Sequence, residues 1–312
     1  MNDLNYTLLE DLSILGGSVR HVLDLDTGEI ATGSAEVSCK QETARGRAPL
    51  STTHKRPFVE WTAGASLLKV SGGGDYERQG GGKKKPITGF SKGSRRRLMQ
   101  TIARIKPDGE LPCFVTLTYP DKFPEPRESK KHLKTFIKRL LRAHPLCGVI
   151  WKLEPQERGA PHYHMMVWGV ENFTLYNFVV ESWHDIAGAG DENHKLFHAG
   201  LLAGSKPCVE PVRSWRGVWS YASKYLGKTF EIAGWDSLSV GRYWAVIQKQ
   251  NIPFGQQMVM RITIKDAHVW MRYQRRFMGL KSRSYPSLTT FCKADDWINN
   301  LMRSGEVQQN QT

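Results

Sequence analysis

Two tyrosines and two lysines recur at helical spacing in Tyr221-Ala-Ser-Lys-Tyr-Leu-Gly-Lys228. At about 100° per residue, Tyr225 and Lys228 fall within roughly 40° of Tyr221, and Lys224 lies about 60° to the other side. One helix face therefore carries two phenols and two ammonium groups. Trp215, Trp219, Ala222 and Leu226 form a separate apolar stripe, so the tyrosines are not needed for the core. A neutral phenol attacking a phosphodiester near pH 7 needs charge neutralisation at the phosphate and help in losing its proton. The unperturbed phenol has a pKa of about 10, and Lys224 and Lys228 beside it favour the phenolate.

A second set of chemically able residues precedes the first. In the strand-like run from Pro161 to Gly169, His162, His164 and Met166 share one face. The run from Cys147 to Glu154 places Ile150, Lys152 and Glu154 on one face. Between them Pro155 to Ala160, with Arg158-Gly159 as the natural turn, predicts a β-hairpin. If Glu154 sits opposite His162 or His164, its carboxylate joins the imidazoles, and that pairing requires an odd-numbered loop. Two histidines on a strand can also serve simply as partners for buried backbone groups.

The elements around these residues set the frame. The chain of 312 residues, 40% of them hydrophobic, can bury the core of one large domain or two small ones. Forty-four Lys and Arg against thirty Asp and Glu give a net charge of +14, which points to a polyanionic partner such as nucleic acid. The five cysteines, at 39, 113, 147, 208 and 292, form no Cys-x-x-Cys, so neither a disulfide framework nor a zinc finger is expected and a reducing cytosol fits. Acidic residues near the N-terminus and the lack of a long apolar run argue against secretion and membrane spanning. Without a Gly-x-x-x-x-Gly-Lys-Ser/Thr sequence, no phosphate-loop helicase is expected in this chain.

In chain order, residues 1 to about 55 read as a loose arm, Arg56 to Val70 as one or two strands, and Ser71 to Lys85 as a flexible Gly- and Lys-rich linker. A helix is expected over Ser91 to Arg104, with Arg95, Arg96 and Arg97 in its first turn as a candidate phosphate contact. Cys113 to Tyr119 reads as a strand. Glu128 to His144 reads as an amphipathic helix whose polar face, including Lys130, Lys134 and Lys138, either is simply solvated or tracks a nucleic-acid backbone. After the hairpin, Phe173 to Ala187 reads as a helix, Gly188 to Lys195 as a polar loop, and Cys208 to Arg213 as a strand leading to Ser214, the expected cap of the tyrosine helix. Tyr243 to Gln248 and Met258 to Ile264 read as strands, and Asp266 to Phe277 as a basic helix. The expected division is an arm at 1–86, a catalytic domain at 87–250, and a basic extension at 251–312 packing on that domain.

The spacing Tyr-x-x-x-Tyr-x-x-Lys would arise by chance only roughly 0.02 times at this composition. Taken with Phe114-Val-Thr-Leu-Thr-Tyr-Pro120 and His162-Tyr-His164 in the same order, the chain resembles the HUH endonucleases, the rolling-circle replication initiators of small single-stranded DNA viruses, phages and plasmids. Over about residues 87 to 250 it is similar to the replication-associated proteins grouped with the filamentous-phage gene II product. Its paired tyrosines match the gene A initiators of small icosahedral phages.

The resemblance implies a ferredoxin-like α+β domain, with a central antiparallel sheet of about five strands and flanking helices. It also implies a divalent ion, Mg²⁺ or Mn²⁺, held by His162, His164 and an upstream acid, Glu154 or alternatively Glu157. Two imidazoles and one carboxylate leave positions open for phosphate oxygens. The expected nucleophile is Tyr225, through Tyr-x-x-Lys, with Tyr221 able to alternate with it. The implied activity is nicking and rejoining of single-stranded origin DNA, with or without a hairpin, through a 5′-phosphotyrosine bond. A host helicase would unwind and a host polymerase would extend the 3′-hydroxyl, in the cytoplasm of a bacterial host. A relaxase or single-strand transposase would use the same chemistry on another substrate, and a non-catalytic basic DNA-binding protein would use these residues structurally.

Overall fold

The computed structural model describes residues 20–23, 30–33, 53–55, 57–72, 74–76, 89–222, 226, 240–277, 279, 287–291, 296 and 298. Most of the expected arm, most of the Gly/Lys linker, and Lys224, Tyr225 and Lys228 lie outside them. The chain divides into two compact units, one formed by Met1–Lys83 with Gly255–Thr312 and the other by Lys84–Phe254.

The first unit joins the two ends of the chain. Its strands are β1 (Arg20–Leu23), β2 (Ile30–Gly33), β3 (Thr53–Lys55), β4 (Phe58–Thr62), β5 (Leu67–Ser71) and β6 (Gly74–Tyr76), with β12 (Gln257–Arg261) and β13 (Ser287–Phe291) from beyond the second unit. A six-stranded sheet runs in the order β13-β5-β4-β12-β1-β2, and β3 pairs with β6. The pairings are antiparallel except that of β1 with β12. Helix α6 (Ile264–Phe277) carries Ala267, Trp270 and Met271 into a core with Val59, Trp61, Leu68 and Val70. Within the expected extension at 251–312, β12 pairs with β4. Local periodicity marks β4, β5 and β12, whereas β1, β2 and β3 lie in the stretch read as a loose arm and β6 in the expected linker, and nothing local signals a pairing between segments so far apart in sequence.

The second unit has the succession β7 (Cys113–Leu117), α2 (Pro126–Ala143), β8 (Gly148–Pro155), β9 (Pro161–Trp168), α3 (Asn172–Ala187), β10 (Val209–Pro211), preceded by α1 (Lys92–Ile102). Between α3 and β10 lies α4 (Glu192–Ala199), and α5 (Trp215–Tyr221) and β11 (Trp244–Ile247) follow. Its sheet order, β10-β7-β9-β8-β11, is antiparallel throughout. This is the β-α-β-β-α-β ferredoxin-like arrangement with β11 added beside β8, an α+β fold with the expected five-stranded sheet.

Each sheet face has its own cover. On β9, Tyr163 and Met165 are fully buried, and Tyr163 Oη meets Ser129 of α2 at 2.7 Å and packs edge-on to Trp183 of α3. Leu133, Phe136 and Leu140 of α2 and Val179 and Trp183 of α3 fill this side, as their three-and-four spacing demands. The opposite face carries His162 and His164. On that face Trp244, paired across from Lys152, donates its indole N–H to Ser94 Oγ of α1 at 2.9 Å, and Phe90 lies against Lys152.

Two local expectations change. Gly188 to Lys195 is not all loop: α4 starts within it, capped by the Asp191 carboxylate and ended by Gly200 in the left-handed region at φ 74°. Lys130 is not on a solvated face; it is half-buried over the Trp151 ring and donates to the Arg242 carbonyl, and burial holds its ammonium down at about 8.

Candidate active site

The hairpin loop is Gln156 to Ala160, an odd number of residues. Gly159, at φ 83°, makes the reversal that a side chain would strain, and its N–H donates to Gln156 O at 2.8 Å. This loop sets the register Glu154↔His162 and Lys152↔His164, with Thr116 of β7 on the other side of His164. Residues directly opposite in an antiparallel pair point to the same face. Lys152, Glu154, His162 and His164 are therefore collected on one side of the two adjacent strands β8 and β9.

The contacts on this face are specific. Glu154 Oε1 lies 3.0 Å from His164 Nε2, and Lys152 Nζ donates to Glu154 Oε2 at 2.9 Å. The Lys152 side chain is fully buried, so its charge must be matched, and Glu154 matches it. Burial pushes the Glu154 carboxyl up, but His164 and Lys152 together outweigh this and hold it at about 2. His162 is turned the other way: its Nδ1 meets Thr118 Oγ1 at 3.1 Å, and its ring stands nearly perpendicular to that of His164, with centroids 4.5 Å apart. Burial, with His164 second, pushes the His162 imidazole down to about 3, so it is neutral near pH 7.

Tyr221 reaches the same place from α5. Ser214 caps that helix, accepting from Gly217 N–H at 3.2 Å, and Val218, Ala222 and Leu226 are fully buried behind it. Trp215 and Trp219 are half-buried against the same core. The Tyr221 ring stacks on Phe114 of β7, with centroids 3.5 Å apart and planes 13° apart. It thus packs on the core, contrary to the expectation of a phenol free of it. Its hydroxyl lies 3.0 Å from His164 Nδ1. Glu154, His164 and Tyr221 form a continuous chain of two hydrogen bonds from carboxylate through imidazole to phenol.

A cleft of about 400 Å³ opens over these residues. Phe114, His162, His164 and Tyr221 form one part of its lining, and Phe197, Lys206 and Glu210 another. Among the described residues, no three His, Cys, Asp or Glu side chains are grouped as a ready metal site. Of the expected ligands, His164 Nε2 and Glu154 Oε1 are brought together at 3.0 Å, while His162 is turned to Thr118. Glu157, the alternative acid, is exposed on the turn.

The candidate nucleic-acid contacts separate. Arg95, Arg96 and Arg97 are exposed on α1, which covers part of the histidine face. Lys134 and Lys138 are exposed on α2, across the sheet. Three features of the site were not legible in the sequence: Lys152 as a buried partner, Thr118, and the pair His194 and His198 on α4. The last had a signal in the i, i+4 spacing between Asp191 and Gly200, a capped helix in miniature.

Residues 112–230 match the model of a family of replication-associated proteins, that of ORF2 and the gene II protein. The match takes in β7, the hairpin, α5 and the whole tyrosine segment. No curated protein and no solved structure matches it.

Proposed function

We propose that the chain is an HUH-type rolling-circle initiator that nicks and rejoins single-stranded origin DNA, forming a 5′-phosphotyrosine bond and leaving a 3′-hydroxyl primer. The observation that carries this reading is the Glu154–His164–Tyr221 chain, with two 3.0 Å links, whose His164 and Tyr221 line an open cleft. Tyr221 donates its hydroxyl proton to His164 Nδ1 as its oxygen attacks phosphorus. The bond from phosphorus to O3′ breaks, its electron pair passing to O3′, which is protonated to the hydroxyl. Glu154, ionised near pH 7, accepts from His164 Nε2–H, fixes the ring and stabilises the imidazolium. The reverse attack by a 3′-hydroxyl rejoins the strand.

His162, His164 and Glu154 are the residues that would hold Mg²⁺ or Mn²⁺, which when bound neutralises charge at the phosphate. An ion held by Glu154 and His164 Nε2 would replace the hydrogen bond between them and leave His164 Nδ1–H donating to the phenol oxygen, so that in the loaded site the phenol proton would leave to solvent rather than to His164. Tyr225, the expected nucleophile through Tyr225-Leu-Gly-Lys228, lies beside Tyr221 on the sequence wheel and alternates with it, with Lys224 and Lys228 stabilising the phenolates. The exposed arginines of α1 give the DNA backbone a cationic border on the histidine side. Host helicase and polymerase complete the cycle in the bacterial cytoplasm.

The test is to incubate the full chain with single-stranded DNA spanning the origin of the replicon that encodes it, plus Mn²⁺, and to look for a denaturant-stable adduct. An adduct mapped by mass spectrometry to Tyr221 or Tyr225 is expected. Complete absence of adduct leaves a non-catalytic DNA-binding protein.

A further inference from the structure

Thr118 stands just past the end of β7, and its main-chain groups are held by two helices. Its carbonyl oxygen lies 2.7 Å from Trp183 Nε1 of α3 and 2.9 Å from His194 Nε2 of α4. His198 Nε2, also of α4, lies 3.1 Å from the same oxygen and 3.2 Å from the Thr118 amide nitrogen. A carbonyl has two lone pairs, and Trp183 can only donate. With those lone pairs taken by Trp183 and His194, His198 Nε2 accepts the Thr118 N–H.

Both histidines are at least 95% buried. Their Nδ1 atoms have no hydrogen-bond partner among the described residues, so each ring spends its one strong contact on Thr118. His194 is further confined by Gly188: a Cβ there would lie 2.0 Å from its Nδ1. The Thr118 hydroxyl, in turn, meets His162 Nδ1 at 3.1 Å.

We infer that His194 and His198 are positioning residues for His162, acting through Thr118. They clamp the Thr118 peptide groups, which fixes where Oγ1 stands. Oγ1 then accepts the His162 Nδ1–H, so that Nε2 presents its lone pair to the cleft. Partners of this kind behind a ligating imidazole fix its tautomer and ring plane. The inference rests on the reading of His162 as a metal ligand only for its affinity arm; the arm that reads the tautomer stands without it.

The full chain, isotopically labelled, is compared as wild type, Thr118→Val, His198→Leu and His198→Gln. Long-range ¹⁵N correlation spectra assign the ring protons of His162, and titration with Mn²⁺ gives its affinity. The wild type is expected to carry the His162 proton on Nδ1. Thr118→Val and His198→Leu should shift the ring toward the Nε2–H form and weaken Mn²⁺ binding about 10-fold, while His198→Gln, which keeps an acceptor near Nε2, stays within about threefold of wild type. Thr118→Val leaves the backbone contacts in place and carries the test independently of how His198→Leu folds. Unchanged His162 shifts in folded Thr118→Val and His198→Leu overturn the inference. If the shifts respond but the wild type binds no Mn²⁺, the inference holds and the metal-ligand reading falls.

Discussion

Glu154 stands directly opposite His162 in the hairpin, yet its carboxylate bonds His164, two residues further along the same strand, at 3.0 Å. Diagonal partners lie within reach of long side chains across a twisted antiparallel pair. As a result the two imidazoles have different holders: Glu154 orients His164, and Thr118 orients His162. One is linked to the phenol and the other is turned toward α4.

Replacing the phenols separates their roles. Tyr221→Phe keeps the ring stack on Phe114 but loses the hydroxyl bonded to His164. It should cost about 1 kcal/mol of stability or less. The double variant Tyr221→Phe/Tyr225→Phe is expected to give no DNA adduct. Wild-type adduct yield from Tyr225→Phe alone would assign the primary attack to Tyr221.

Lys152→Met tests the buried ion pair. The substitution strands the Glu154 carboxylate beside His164 without its ammonium partner. Urea unfolding in EDTA should show a loss of about 3 kcal/mol, the usual scale for breaking a buried pair. The carboxyl should titrate above its present value of about 2.

Acid should destabilise the chain before the carboxylates titrate. Burial holds the folded His198 at about 3, against an ordinary value of 6.5. The unfolded chain then binds more protons between these two values, so stability falls as pH drops from 6.5 toward 3. The expected loss from His198 is a few kcal/mol, about 1.4 kcal/mol for each pH unit crossed between the two values. Thermal unfolding in EDTA from pH 8 to pH 4 measures it, and His198→Gln should flatten the slope.

Gly188→Ala would drive a methyl group into His194. We expect a loss of about 1–3 kcal/mol, the range for overpacking a filled site. A stability equal to wild type would mean that α4 moves freely relative to α3.

The two basic groups should differ in binding. Alanine at Arg95, Arg96 and Arg97 is expected to reduce the salt dependence of single-stranded DNA binding, by up to about 0.7 in the log–log slope for each phosphate no longer neutralised. Alanine at Lys134 and Lys138, across the sheet from the histidines, should leave it unchanged. Fluorescence anisotropy at several salt concentrations reads both.

Local pattern carried much of the second unit. The β-branched run at Cys113–Leu117, the spacing of Leu133, Phe136 and Leu140, and the odd loop between Pro155 and Pro161 each encode their own geometry. What was hidden depends on distance. Lys152 reads only as a neighbour of Glu154 on one strand face until Glu154 and Phe90 enclose it, and Thr118 reads as a strand residue until α3 and α4 arrive. The short α4 was obscured by the glycines before it. The pairing of β4 with β12 has no local signature because the two strands lie on opposite sides of a whole folding unit.

That last pairing also orders events on the ribosome. All five sheet strands of the Lys84–Phe254 unit leave the exit tunnel before β12 does, whereas β4 and β5 emerge first and wait for their neighbour. During synthesis β4 is therefore a hairpin edge without its later partner, open to pairing with other nascent chains. The unit that carries the histidines can complete its sheet while the chain's own frame is still half made.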